Sequence, residues 1–75
     1  MNILEEQLNS VGISVAEAAR ATGLSYLSVR RHVRGERTIS AESAIKYDTA
    51  LGISREILRP DLFKRRQMHE ERHAG

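Results

Sequence analysis

The chain has 75 residues, 12 Lys or Arg against 10 Asp or Glu, and no cysteine, for a net charge of +2. That describes one small domain with no disulfide framework, no thiolate metal site and no apolar run near the ~20 residues of a membrane span. A chain this short buries only about 60% of its unfolded surface, so helix packing or self-association has to supply its stability.

The first element runs from Asn2, a capping residue with Glu5 three positions on, and places Leu4, Leu8 and Val11 on one apolar stripe. Gly12 ends it. Ser14 caps a second helix, Val15 to Thr22, whose alanines at 16, 18, 19 and 21 favour helix and add little bulk. Gly23 makes a sharp turn, and Ser25 caps a third helix, about Tyr26 to Arg34, closed by Gly35. A fourth runs from Ala41 to Leu51 behind Ser40, with Ala44, Ile45, Tyr47 and Leu51 as packing positions and Gly52 as its stop. Ser54 caps one further turn with Ile57 and Leu58 before Pro60 interrupts. The expectation is an all-α bundle of about five helices over residues 1–63, followed by a polar, basic tail, 64–75. Two readings of the tail stand. It continues as a polar helix with Asp61–Arg65 and Arg66–Glu70 pairs, or it has too little apolar surface to fold.

Charge is unevenly placed. Residues 25–38 carry Arg30, Arg31, Arg34 and Arg37 against Glu36 alone, whereas residues 1–24 are net acidic. Stepping round helix three at 100° per residue puts Val29 and Val33 toward the core, with His32 on the flank of that stripe. Leu27, Arg31 and Arg34 fall on the opposite side, Ser28 and Arg30 on the flanks, and Tyr26 at the tip. A helix that is apolar on one side and basic on the other suits a DNA major groove. The arginine fork can bond guanine O6 and N7 together, or grip a phosphate. Leu27 can touch a thymine methyl, or a neighbouring helix. Tyr26 reaches a base edge or packs on helix two. The backbone N–H groups at Ser14/Val15 and Ser25/Tyr26 are expected to be free for phosphate oxygens, with Arg37 and Thr38 holding the far strand.

These residues carry a resemblance. The spacing Ala19–Gly23–Val29, within AARATGLSYLSVRRHVRG, resembles the helix-turn-helix of the lambda-type Cro and repressor (XRE) family. The continuation GERTISAESAIKYDTALGIS looks like HigA-type antitoxins, and GISREILRPDLF is similar to YdaS-like prophage regulators. The resemblance covers about residues 3–63. It implies a lambda repressor-like DNA-binding domain that dimerises on a double-stranded operator. It also implies base contacts from Tyr26, Leu27, Ser28, Arg30 and Arg31, and backbone contacts from Arg34, Arg37 and Thr38. The chain departs from the family at three points. Val15 and the Tyr26–Leu27 tip stand where glutamine is frequent, and His32 stands where a large apolar residue is usual. Recognition shifts onto Arg30 and Arg31, toward G·C pairs.

Ile57, Leu58, Leu62 and Phe63 exceed the needs of a four-helix core. Either they form a dimer interface or they seal the monomer as a fifth helix. His69 and His73, in the tail motif HEERH, have a metal-compatible spacing but no apolar surroundings, so no metal site is expected. No phosphate-cradling glycine loop or nucleophile–base pair is visible, so neither enzyme chemistry, a cofactor nor a small-molecule ligand is expected. The remaining alternative is an antitoxin that neutralises a toxin and autoregulates. The acidic N-terminus, MNILEEQL, is unlike a signal peptide, and the lack of cysteine fits a reducing compartment, so the expected location is the cytoplasm.

Overall fold

The computed structural model describes residues 2–63; the tail, with HEERH and the partners Arg65, Arg66 and Glu70, lies outside the described residues. The described residues form five helices and no strand: α1 (Ile3–Val11), α2 (Val15–Thr22), α3 (Tyr26–Arg34), α4 (Ala41–Leu51) and α5 (Arg55–Leu58). Their limits are those expected from the caps. Asn2, Ser14, Ser25, Ser40 and Ser54 each accept a backbone N–H from the first turn of the helix they open. The Asn2 amide has a second use, because its Nδ2 donates to the His32 carbonyl (2.6 Å) and ties the start of α1 to α3.

Leu4 and Leu8 from α1, Ala18 and Ala19 from α2, Val29 from α3 and Ala44 and Tyr47 from α4 meet in one core, closed by Ile39, Ile53 and Leu58. The small alanines allow α2 to lie close to both α3 and α4. Two expected core positions are corrected. Val11 is 46% exposed because α1 ends at its level, and Ile45 is 37% exposed on the outer side of α4. Val33 faces the core as expected, half-buried and packed against it.

The core position next to Val29 belongs instead to His32, which is only 4% exposed. Its Nδ1 lies 2.8 Å from the hydroxyl of fully buried Tyr47, with the rings edge to face at 73°. A polar pair at this position is tolerable because the Tyr47 hydroxyl and the His32 Nδ1 satisfy each other. Burial pushes the Tyr47 phenol well above its ordinary range. Burial, reinforced by the Arg37 guanidinium, holds His32 below its ordinary value and so favours the neutral imidazole in the fold.

Ion pairs set the last turn. Asp48 Oδ2 accepts from the Arg55 backbone N–H (3.1 Å) and Nε (2.9 Å), which fixes the start of α5 against α4. Arg59 grips both Asp61 oxygens (2.9 and 2.6 Å) and donates to the Ile39 carbonyl, so the chain after α5 is fastened to the loop before α4.

Two outcomes follow from the buried pair. Tyr47→Phe strands the His32 Nδ1 and is expected to cost about 1–3 kcal/mol, whereas adding His32→Leu removes the orphaned group and recovers part of that loss; urea midpoints of the three proteins measure it. Below pH 6.5 the unfolded chain takes up a proton on His32 that the fold resists. This contribution to stability is therefore complete above pH 6.5 and declines as the pH falls toward the folded-state pKa. The melting temperature of the parent should drop between pH 7 and pH 5.5, and that of His32→Leu should not. The carboxylates of Glu17, Asp48 and Asp61 are held below their usual range by their hydrogen-bond partners, so their losses come only at more acid pH.

Candidate nucleic-acid interface

The turn between α2 and α3 is built from three residues. Thr22 Oγ1 donates to the Ala18 carbonyl (2.7 Å) and accepts from Leu24 N–H (3.2 Å). Gly23 takes φ 81°, a left-handed conformation that costs an L side chain about 1–2 kcal/mol, and its N–H closes on Ala19 O. Ser25 then opens α3 by accepting from Ser28 N–H (3.0 Å). Val29 on the inner side of α3 is wholly buried, so the helix is fixed in rotation.

That rotation decides what faces outward. Tyr26 is 55% exposed and Leu27 48%, while Arg30, Arg31 and Arg34 are all exposed. Ser28 is half-buried, with its Oγ engaged by Ser25. Among the described residues neither Arg30 nor Arg31 has an acidic partner; Arg34 pairs with Glu36 at 2.9 Å. Both members of that pair are about half exposed, and pairs of this kind contribute only about 0–1 kcal/mol, so a phosphate could displace Glu36 at little cost. Arg37 and Thr38 are exposed in the loop that follows, which the Arg59–Ile39 bond holds in place.

The two helix N-termini on this side differ. At α2 one of the two expected free donors is taken: Ser14 N–H donates to Glu17 Oε1 (2.8 Å) while Ser14 Oγ accepts from Glu17 N–H (3.1 Å). These bonds also hold the Glu17 carboxyl below its usual range, so a negative charge occupies the place expected for a phosphate. The Val15 side chain packs against the core. The signal for this reciprocal cap was legible as Ser-x-x-Glu at 14–17. At α3 the first turn contains no acidic residue, and its positive end stays open.

The apolar residues assigned to a dimer interface separate into two pairs. Leu58 is 5% exposed inside the monomer core, and Phe63 packs on that core beneath the Arg55 guanidinium (5.7 Å). Both are needed within one subunit because α5 is a single turn with little else to bury. Ile57 and Leu62 remain 42% and 47% exposed.

A family model described as helix-turn-helix matches residues 4–58. The chain belongs to that helix-turn-helix family, which is of the Cro/repressor (XRE) type. It is therefore a DNA-binding transcription regulator. No curated protein and no solved structure matches the chain. The matched span begins at Leu4 and ends at Leu58, both core residues, so it takes in every helix that positions α3. No helix among the described residues is long and apolar enough to cross a membrane.

Proposed function

We propose that this helix-turn-helix protein is a Cro/repressor-like prophage regulator that binds a palindromic operator as a dimer, with α3 in the major groove. The observation that carries the reading is the pair Arg30 and Arg31. They are exposed and without acidic partners among the described residues, on a helix whose other side is locked by Val29 and His32. Such a side chain is free to form a bidentate bond with guanine, a contact that discriminates by about 1–3 kcal/mol. Tyr26 and Leu27 add contacts at the entering tip, and Ser28 a smaller one from the flank. Arg34, Arg37, Thr38 and the open N-terminus at Ser25 hold phosphates. Ser14 drops out of that set, because Glu17 takes its N–H, while the Val15 N–H stays in it. One recognition helix covers a few base pairs, and a symmetric pair reads two half-sites about 34 Å apart. The dimer patch is Ile57 with Leu62, the apolar residues near the C-terminal end of the fold that the monomer leaves exposed.

Selection from a random duplex pool should enrich a palindrome containing G·C pairs. On that site Arg31→Ala should cost about 1–3 kcal/mol and relax preference at one position, while Arg37→Ala should weaken all sequences alike and flatten the salt dependence. Enrichment of no sequence, and no retarded duplex at low salt, would overturn the reading. Sedimentation on the enriched duplex should give two subunits per site, and Ile57→Arg should reduce this to one without altering the melting temperature of the free protein.

A further inference from the structure

A cleft of about 240 Å³ opens between α3 and the start of α4, lined by Leu24 from the turn, Ser28 and His32 from α3, Arg37 and Thr38 from the loop, the cap Ser40, and Ser43 from α4. Its polar groups point to one ligand chemistry. The N-terminal turns of both α3 and α4 border it, each with a Ser–Ser pair: Ser25 Oγ donates to Ser28 Oγ (3.0 Å) and Ser40 Oγ to Ser43 Oγ (3.1 Å). The Ser28 and Ser43 hydroxyl protons are thus left to donate into the cleft. The positive end of α3 and the Arg37 guanidinium meet there beside the α4 N-terminus, whose first-turn Glu42 pairs with Lys46 (3.7 Å), and no carboxylate lines the cleft. The wall nearest the core is His32, 96% buried by its 4% exposure, with Nδ1 spent on Tyr47 and Nε2 without a partner among the described residues. A half-satisfied buried imidazole beside a basic, hydroxyl-lined opening lacks an acceptor.

We propose that this cleft takes a phosphate oxyanion, and that filling it places a proton on His32. The proposal rests on the DNA-binding reading, which brings backbone phosphates to Arg37 and Thr38, and adds to it a proton linkage through the recognition helix. The charged and titratable groups facing the imidazole are few. The loop presents Arg37 and α4 the Tyr47 phenol, while α1, α2 and α5 turn the uncharged Leu4, Leu8, Ala18, Ala19 and Leu58 to the shared core. Arg37 disfavours the imidazolium when the cleft is empty. An oxyanion held between Arg37 and His32 cancels that field and accepts a hydrogen bond from Nε2–H, so the bound state favours protonation. Linkage makes the effect reciprocal: a bound phosphate raises the proton affinity of His32, and acid strengthens phosphate binding by the same factor. His32 is here a positioning residue for the recognition helix as well as the group that titrates.

The chain has three histidines, so the full-length double variant His69→Gln/His73→Gln leaves His32 as the sole imidazole for proton NMR. Its titration midpoint is followed free, with inorganic phosphate, and with a mixed-sequence 20-base-pair duplex. The midpoint should rise with either oxyanion source, and duplex affinity by fluorescence anisotropy should increase about fivefold or more from pH 7.5 to 5.5, within the ordinary range of coupling between sites. A rise with duplex alone assigns the cleft to the DNA backbone, and a rise with inorganic phosphate alone assigns it to a free anion; both support the site. A midpoint unmoved by either, while the duplex still binds, overturns the proposal and leaves the DNA-binding reading intact. Failure to bind the duplex at any pH overturns that reading instead. Adding His32→Gln should abolish the pH dependence of affinity; if that protein does not fold, the titration of the sole-histidine protein still decides.

Discussion

Helix α3 is seated by a contact between two polar side chains inside the bundle. His32 and Tyr47 meet at 2.8 Å, and both are almost wholly buried. The bond joins α3 to α4, and Asn2 joins the same residue's carbonyl to the start of α1. A purely apolar side chain at position 32 would pack without direction. The hydrogen bond, together with the edge-to-face rings, fixes α3 in rotation as well as in position. Everything exposed on the basic face, from Tyr26 to Arg34, inherits its orientation from that seating.

The same economy governs the electrostatics. The two helices of the turn, α2 and α3, each begin with serine. The α2 serine is followed by Glu17, whose carboxylate satisfies the backbone and neutralises the positive helix end. The α3 serine is followed by Ser28 in the equivalent place, which leaves the end positive. One residue type, three positions after a cap, therefore decides which helix end is open to an anion. Arg37 extends that positive region toward the start of α4, and the Arg59 bond to the Ile39 carbonyl fastens the intervening loop.

Local structure was legible in the chain to an unusual depth. The ends of all five helices followed from Asn2 and the serines at 14, 25, 40 and 54, and from the glycines that stop four of the helices, because capping depends on groups within one turn. The exposed set Tyr26, Leu27, Arg30, Arg31 and Arg34 followed from 3.6-residue periodicity once Val29 was placed inside. The reciprocal cap at Ser14 and Glu17 was present as a spacing and was still read as a free helix end.

Other features depended on groups far apart in sequence. The sequence by itself determined where helices begin and end, which family the turn belongs to in pattern, and where positive charge collects, since these rest on neighbours within a few residues. Only the tertiary structure decided that His32 is a core residue bonded to Tyr47, 15 positions away, and that Leu58 and Phe63 complete one subunit. It also decided that Val11 and Ile45 face outward, and that two helix ends and Arg37 share one cleft. The physical reason is that periodicity marks the apolar side of a helix but not how far its partners extend. Burial and polar satisfaction are set by what the other helices bring to the same place.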